Sequence, residues 1–503
     1  MNTFMNSLKE ANNYKLTENG GVAHSSTLNP VYDMFALGAA YRSRSNEDVI
    51  LLFKNALKYD ESLALKCLFY IRDCRGGQGE RRFFRVAYRW LAQNYPVIAR
   101  RNLEYVSEYG RWDDLIYVCL DTPLEGAMIA TIKGQLILDA QCKTPSLLAK
   151  WVPSENASSF ATKAAARKLR MALGLTSKEY RKLLSGLRTR INIVEKLMSE
   201  NRWDEIEFDK IPSKAGLKYK NAFARRDIIA KKYEAFAKDK TTKVNATTLY
   251  PYEVIAKATK CMGYYGSSLN ETDRAMVEKY WENLPDYLNG KECSMMCVVD
   301  TSGSMTGSAA SAPINVAISL GMYCAERING PFKDHYISFS SRPQLIKIEG
   351  TDFVDKVRRI YRTNLCENTN LTKTFDLILD IARQPWVKKE DVPKTIVVIS
   401  DMEIDSGSGS YSWRTGRTNN WTEKTAATEM EKVRQKFAAA GLECPRLVYW
   451  NVDARNDTIL DSGPNVSFVS GFSPVLFEQV LTGKNGWDLC LDKLLSKRYE
   501  VIK

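Results

Sequence analysis

The feature that most constrains the fold is a regular alternation of apolar strands and helices in the C-terminal part of the chain. The run SMMCVVD (294–300) has the continuous apolar character of a strand that is buried on both faces. Helix-like and strand-like patterns follow it in turn at 312–328, 335–340, 370–383, 395–401, 423–441, 446–452, 467–471 and 473–481. This alternation predicts a doubly wound parallel sheet with helices on both faces.

The N-terminal part has a different pattern, in which helices follow one another without a strand between them. Apolar residues recur at helical spacing over 45–60, 61–73, 80–95, 97–110 and 113–120. Such a series favours stacked helical hairpins, either a HEAT-like ring or a solenoid, with an irregular helical domain as the alternative. We therefore expect an α + α/β chain with a helical domain over 1–290 and a sheet domain over 291–503.

Positive charge is concentrated in the helical part. The net charge of +13 comes from 72 Lys and Arg against 59 Asp and Glu. Residues 1–290 hold 45 basic and 33 acidic residues, whereas residues 291–503 hold 27 and 26. The segment 161–232 alone holds 19 basic and 8 acidic residues. Such a local excess predicts an anionic partner, most simply RNA phosphate, and a solvated helical face is the alternative.

Basic residues of this segment, together with the Arg-rich turn at 72–82, are the candidate phosphate contacts. The glycines of that turn suggest backbone amides that approach a phosphate, although a plain helix connection is an equal alternative. Tyr180, Trp203 and Tyr219 are candidate stacking partners for bases, with a place in the core as the alternative. The candidate RNA-binding residues are Arg75, Arg81, Arg82, Lys163, Arg167, Lys168, Arg170, Lys178, Arg181, Lys182, Arg188, Arg190, Lys214, Lys218, Lys220, Arg225 and Arg226.

Composition weighs against several other classes of protein. With only two histidines, His24 and His335, a catalytic triad or a zinc site of histidines is disfavoured. The 11 cysteines form no CxxC pair, which indicates free thiols in a reducing compartment. No apolar run reaches the length of a bilayer and the N-terminus is polar, so we expect a cytoplasmic protein without a membrane partner.

Oxygen-bearing side chains follow two of the predicted strands. Asp300, Ser302 and Ser304 follow the strand at 294–300, and Asp401 ends the strand at 395–401. Thr369 offers a further hydroxyl before the helix at 370–383, with Thr372 as its alternative. Because the carboxyl ends of parallel strands meet at one sheet edge, these groups predict a site for a hard divalent cation, Mg²⁺ or else Mn²⁺.

The block DTSGSM, the later Thr and VVISD resemble the metal-ion-dependent adhesion site (MIDAS) of von Willebrand factor A domains. The resemblance covers about residues 293–485 and implies that Asp300, Ser302, Ser304, Thr369 and Asp401 hold one cation. This chain departs from many relatives in having Glu367-Asn368 before the Thr.

A second resemblance extends over nearly the whole chain. YIRDCRGGQGERRFF, AKWVPSE, SDMEID and LVYWNV are similar to an uncharacterised family of plants and large viruses. That family resembles the Ro autoantigen proteins, whose helical TROVE module is followed by a von Willebrand A domain. The resemblance implies a non-enzymatic protein that binds small structured or single-stranded RNA and is a component of ribonucleoproteins.

Two other functions stay open at this point. In the first, the protein is an interaction scaffold whose metal site captures a partner carboxylate. The loop at 406–421 is a further candidate for binding protein or RNA, with a disordered surface loop as the default interpretation. In the second, Asp300 and Asp401 serve a metal-dependent hydrolase. No nucleophile or base is evident in the sequence beyond the metal ligands, so we expect no enzyme.

Overall fold

The structure, a computed structural model, describes residues 12–503 except 192, 260–268, 308, 310, 340–341, 364–369, 406–426, 462 and 464. In this part of the chain it contains 22 α-helices, a short hairpin and a six-stranded sheet. The predicted combination of a helical part and a parallel sheet is confirmed at this level. The HEAT-like ring and the von Willebrand A assignment stay predictions.

The strands comprise a two-stranded hairpin and the six strands of the main sheet. They are β1 (Tyr14–Leu16), β2 (Val22–His24), β3 (Met295–Asp300), β4 (His335–Phe339), β5 (Leu345–Lys347), β6 (Thr395–Ser400), β7 (Arg446–Asn451) and β8 (Val466–Ser470). The order of the main sheet is β5-β4-β3-β6-β7-β8, and only β5 is antiparallel to its neighbour.

The strand order reverses between β3 and β6. After β3 the chain adds β4 on one side, and after β6 it adds β7 on the other. Val299 pairs with Ile399 in register, so the two strands end level with each other. Ligands of open parallel sheets bind at such a switch point, beyond the carboxyl ends of the strands.

The single helix predicted over 97–110 is instead divided into Pro96–Arg101 and Val106–Tyr109. The helix predicted over 423–441 is described at Glu429–Ala439, and residues 423–426 lie outside the described residues. The other predicted helices are found to within a few residues. The described residues form 22 α-helices in all. They are Pro30–Leu37, Asn46–Tyr59, Glu61–Arg72, Arg82–Asn94, Pro96–Arg101, Val106–Tyr109, Trp112–Cys119, Glu125–Gln141, Leu148–Trp151, Phe160–Ala172, Ser177–Ile191, Val194–Ser199, Ser213–Ala224, Asp227–Lys238, Pro251–Thr259, Glu271–Glu282, Pro313–Arg327, Phe353–Arg362, Leu371–Ala382, Glu429–Ala439, Phe477–Val480 and Gly486–Leu494. No described helix has both the length and the hydropathy required to cross a membrane.

The chain divides into two compact units. Unit 1 comprises Met1–Ala64 and Leu249–Ser496, and unit 2 comprises Leu65–Thr248 and Lys497–Lys503. The sheet unit is larger than predicted because helix Pro30–Leu37 packs on β8 and helix Pro251–Thr259 packs on helix Pro313–Arg327. The division after residue 290 therefore stays a prediction about sequence modules and does not describe the compact units.

The core of unit 1 is the sheet with its covering helices. β3, β6, β7 and β8 are buried almost throughout, as expected for strands that are covered on both faces. Helix Pro313–Arg327 lies so close to β3 that a Cβ added at Gly321 would come within 2.4 Å of a methyl group of Val299. This tight packing keeps the end of β3 in place.

Unit 2 encloses a network of buried ion pairs. Arg72 and Arg85 both contact the buried carboxylate of Asp114, with Arg72 Nη2 at 2.7 Å. Burial alone would raise the pKa of Asp114, but the two arginines outweigh it and lower this pKa. The charge is therefore compensated inside the unit and is not available to a ligand.

The last residues of the chain are part of unit 2. Arg498 forms an ion pair with the buried Asp73 through Nε, and its Nη2 donates to Asp73 Oδ1 at 2.7 Å. The Tyr499 hydroxyl donates to Asp73 Oδ2 at 2.8 Å. A carboxylate that is buried and left without these partners destabilises the fold.

We expect Arg498→Ala to reduce the stability of unit 2. The loss in free energy of unfolding should be about 1–3 kcal/mol, less than for a fully buried pair because Arg498 is partly exposed. Urea denaturation measures this loss, and Lys497→Ala, an exposed neighbour, is the matched control. Equal stability of the two variants would contradict this role of Arg498.

Candidate functional sites

The first candidate site lies at the switch point of the sheet in unit 1. Asp300 is the last residue of β3, and Asp401 directly follows β6. Ser400 Oγ donates to Asp300 Oδ2 at 2.6 Å, and the Ser302 amide donates to Asp300 Oδ1 at 2.9 Å. The hydroxyls of Ser302 and Ser304 lie 3.0 Å apart. The structure thus brings Asp300, Ser302 and Ser304 together beside β6.

Two carboxylates are buried side by side at this edge. Asp300 and Asp401 are 0% and 1% exposed. Burial, and then the neighbouring charge of Asp401, raise the pKa of Asp300 to about 7. A cation bound between the carboxylates would relieve both causes, so the oxygen donors present are of the kind that fits Mg²⁺.

Among the described residues, no three Asp, Glu, His or Cys side chains form a metal-binding group. The candidate set has two carboxylates and two hydroxyls, which is a different donor set. Thr369 and the loop 406–421 lie outside the described residues. Thr372, the alternative hydroxyl, donates to Glu429 Oε2 at 3.5 Å.

Two charged residues at this edge were missed by the sequence analysis. Arg455, four residues after β7, contacts Asp401 Oδ2 through Nη2 at 2.8 Å. Glu403 is fully buried and accepts from Thr458 Oγ1 at 3.0 Å and from the amide of Glu18 at 2.7 Å. Arg455 could have been found from its position in the sequence, because β7 is parallel to β6 and its carboxyl end reaches the same edge of the sheet.

The raised pKa of Asp300 predicts a dependence of stability on pH. Its carboxyl holds a proton more strongly in the folded chain than in the unfolded chain, so stability falls as pH rises towards the folded-state pKa. In the presence of a chelator, the free energy of unfolding of Asp300→Asn should therefore fall less between pH 5 and pH 8 than that of wild type. Urea denaturation at both pH values measures it, and Asp391→Asn, on the surface, should behave as wild type.

The second candidate site is the basic surface of unit 2. The stretch 160–191 contains nine Lys and Arg residues and a single acidic residue, Glu179. Glu179 is already occupied, since it accepts from the Thr176 amide at 2.8 Å and from the Thr176 hydroxyl at 2.7 Å. The positive charge of these helices is thus poorly compensated within the stretch itself.

Four cations of this stretch have no ion pair and no side-chain hydrogen bond to any described residue. They are Lys163 and Arg167 on helix Phe160–Ala172, and Lys178 and Lys182 on helix Ser177–Ile191. Each pair is spaced four residues apart, so its members lie on one helix face. All but the half-buried Lys163 are exposed. We call these four residues the basic face.

Other predicted RNA contacts are used inside unit 2. Arg188 donates to the carbonyls of Ala149 and Val152, and Arg190 donates to those of Asp139 and Cys142. These guanidiniums stabilise the ends of neighbouring segments, and burial lowers the pKa of Arg188.

Several more candidates have partners at the surface of the unit. Lys168 forms an ion pair with Asp121, and Arg170 pairs with Glu155 at 2.9 Å. Arg181 donates to the Ser177 carbonyl, and Arg75 donates to the Glu108 carbonyl. Lys218 lies over the Tyr219 ring, and Arg226 lies over the Trp203 ring. Arg82, Lys214 and Lys220 also have interactions within the chain. Arg225 is exposed and, like Arg81, has no ion-pair partner among the described residues.

The glycine-rich turn is a closed helix connection and does not form a phosphate loop. The amides of Gln78, Gly79 and Glu80 donate to carbonyls of the same turn and the preceding helix. A Cβ at Gly77 would lie 2.1 Å from the Tyr70 carbonyl oxygen. The glycine is therefore required for close backbone packing, and the expectation of amides available to a phosphate is wrong for these positions.

Two further arginines, Arg85 and Arg111, lie near the predicted Arg81 and were not among the predicted contacts. Burial and the nearby charges of Arg111 and Arg85 lower the pKa of Arg81. Arg111 stacks on the Trp151 ring at 4.0 Å. Of the predicted stacking aromatics, Tyr180 and Trp203 are buried in the core, and Tyr219 is half-buried.

Fold and sites together define a chain that joins a basic helical unit to a parallel-sheet unit with an acidic and hydroxyl-rich edge. The chain belongs to the family described as Domain of unknown function (DUF2828), which matches residues 17–145 and 139–292. The family described as Domain of unknown function (DUF7788) matches residues 294–490.

Two individual proteins are similar over most of the chain. The uncharacterized protein L728 of Acanthamoeba polyphaga mimivirus is 29% identical over 517 residues, which cover 94% of this chain and 85% of that protein. The crystal structure of the Deinococcus radiodurans Ro (RSR) protein is matched with a TM-score of 0.47 and 11% identity, over 93% of this chain and 99% of that chain.

Proposed function

We propose that the protein binds RNA through the basic face of unit 2, without catalysis. The observation that carries the proposal is the set of four cations, two on each of two helices, that have no ion-pair partner among the described residues, in a stretch whose single acidic residue is occupied. Unpaired surface cations gain free energy when they replace the counterions of a phosphate chain.

RNA is favoured over other polyanions by the sequence resemblance to Ro proteins. The chemistry of the face supports contacts to the backbone more than to bases, since lysines bind phosphate as point charges. We therefore expect selectivity for strand type or shape and little dependence on base sequence. Duplex DNA and heparin are the competitors that test this choice.

We expect charge reversal of the basic face, K163E/R167E/K178E/K182E, to weaken RNA binding and flatten its salt dependence. Each lost phosphate contact removes about 0.7 from the logarithmic salt slope on single strands, so four contacts remove about 3. Gel-shift titrations between low and high salt measure both quantities.

The control carries the same charge change in unit 1, at exposed lysines Lys54, Lys58, Lys388 and Lys389. This control should bind RNA more tightly than the basic-face variant and should keep nearly the wild-type slope. Equal affinity and slope for wild type and the basic-face variant would remove the face from the proposal. An interaction scaffold would then be the leading function.

The edge of the sheet supports a second candidate function, the binding of a divalent cation. Asp300, Ser302, Ser304 and Asp401 are the residues that would hold it, and Thr369 completes the predicted set. The supporting observation is the pair of hydroxyls 3.0 Å apart beside two buried carboxylates. Bound Mg²⁺ or Mn²⁺ would supply a Lewis-acidic position able to accept a carboxylate from a protein partner.

We expect Asp300→Ala combined with Ser302→Ala to abolish binding of Mg²⁺ and Mn²⁺. Mg²⁺ at 100 times its dissociation constant should stabilise wild type by about 2.7 kcal/mol and leave the double variant unchanged. Calorimetry measures the binding, and thermal unfolding with and without Mg²⁺ measures the stabilisation. RNA affinity of the double variant should equal that of wild type, because the basic face is unaltered.

One result of the calorimetry would contradict this cation site. If wild type and the double variant bind Mg²⁺ with the same affinity, the cation lies elsewhere and the sheet edge is not its site.

A further inference from the structure

Arg455 supplies a positive charge to the sheet edge. Its Nη2 contacts Asp401 Oδ2 at 2.8 Å, and its Nη1 contacts Glu18 Oε2 at 3.0 Å. The guanidinium therefore bridges a buried carboxylate and a carboxylate that is 44% exposed. Both contacts lie within unit 1.

The bridging position leaves the edge incompletely compensated. The guanidinium contacts Asp401, and no described contact joins it to Asp300, although Asp300, Asp401 and Glu403 are all buried carboxylates at this edge. In addition, Arg455 Nε is buried and has no hydrogen-bond partner among the described residues. A buried donor without an acceptor carries a desolvation cost, so this position of the side chain is not its best possible one.

Glu18 already forms an ion pair with the Arg455 guanidinium, and this ion pair does not depend on Asp401. Its amide donates to Glu403 Oε2 at 2.7 Å, and its Oε1 accepts from Asn456 Nδ2 at 3.0 Å. The turn between β1 and β2 is held further by Thr17, whose hydroxyl donates to the Ile404 carbonyl at 2.6 Å. Glu18 is thus fixed beside the site whatever occupies Asp401.

We propose that Arg455 is the resident counter-cation of the sheet edge and that it exchanges with a divalent cation at Asp401, moving onto Glu18. The inference rests on the proposed cation site and names how that site is regulated. It follows that the cation affinity of wild type is lower than the four oxygen ligands alone would give. Arg455 sets this affinity, and Glu18 lowers the cost of its departure.

Calorimetric titration of the full-length protein with Mg²⁺ and with Mn²⁺ tests the exchange. Arg455→Gln should bind the cation about 10-fold more tightly or better, because a like charge a few ångströms away is removed. The control Arg359→Gln removes the same charge from an exposed residue paired with Asp355, and its affinity should stay within about 2-fold of wild type.

Glu18→Gln tests the second place of the guanidinium. In wild type this change should weaken cation binding by about 3- to 10-fold, since Arg455 then loses its direct ion pair outside Asp401 and keeps only the longer-range attraction of Glu403. In the Arg455→Gln background the same change should alter the affinity by less than about 2-fold. Equal effects of Glu18→Gln in both backgrounds would show that Glu18 acts on the cation directly, which overturns the exchange.

The remaining outcomes separate this inference from the proposed site. If Asp300→Ala/Ser302→Ala loses cation binding while Arg455→Gln keeps the wild-type affinity, the site stands and the exchange is wrong. If neither variant changes the affinity, the cation is bound elsewhere and both fail. Should Arg455→Gln not fold, Arg455→Lys, which keeps the charge with fewer donors, should bind the cation between 1- and about 10-fold more tightly than wild type. Weaker binding by a folded Arg455→Lys would contradict the exchange.

Discussion

The parallel pairing of β3 with β6 is the constraint on which the sheet edge depends. This pairing places two carboxylates next to each other, and the edge has to compensate their charge. Val299 pairs with Ile399, the next residue Ser400 donates to Asp300, and Asp401 is one residue further on. Neither carboxylate reaches bulk water, and their repulsion cannot be relieved by rotation into solvent. The fold therefore requires a compensating charge or a proton at this edge, and both a proton on Asp300 and the guanidinium of Arg455 are consistent with the observed geometry.

Unit 2 is basic, whereas the sheet edge of unit 1 is acidic. Within unit 2, buried charges and exposed charges differ in whether they need a partner of opposite charge. Where an arginine is buried, as at Arg72, it meets a buried carboxylate, Asp114, as low-dielectric surroundings demand. Where cations are exposed, as on the basic face, water screens their repulsion and no acidic partner is needed for folding. An uncompensated face of this kind does not contribute to stability, so its charge is available for a polyanion.

Much of this arrangement was readable from the sequence. The apolar runs at 294–300 and 395–401 predicted strands because a strand covered on both faces needs an unbroken apolar series. The same runs placed Asp300 and Asp401 at one edge. The hairpin of β1 and β2 and the edge strand β5 were not predicted, since three-residue strands are too short to show a periodic pattern.

The partners of charged residues were beyond sequence reasoning for a different reason. Arg188 and Lys182 lie in the same helix with similar neighbours, yet Arg188 donates to three groups of unit 2 and Lys182 donates to none that is described. What distinguishes them is which helix face meets residues 149–154, a segment about 35 positions earlier in the chain. Charge counts locate a basic segment, but only tertiary contacts decide which of its residues can bind a ligand.

The same reasoning explains why Arg455 does not argue against a cation at the sheet edge. A guanidinium that satisfied a buried site fully would have all its donors paired and would be costly to displace. Arg455 has a buried Nε without a partner, and it already contacts Glu18, towards the solvent. In the proposed exchange it compensates Asp401 when no metal ion is bound, and it keeps its contact with Glu18 when a divalent cation takes its place. On this proposal, Arg455 and a divalent cation compensate the same buried carboxylate in turn.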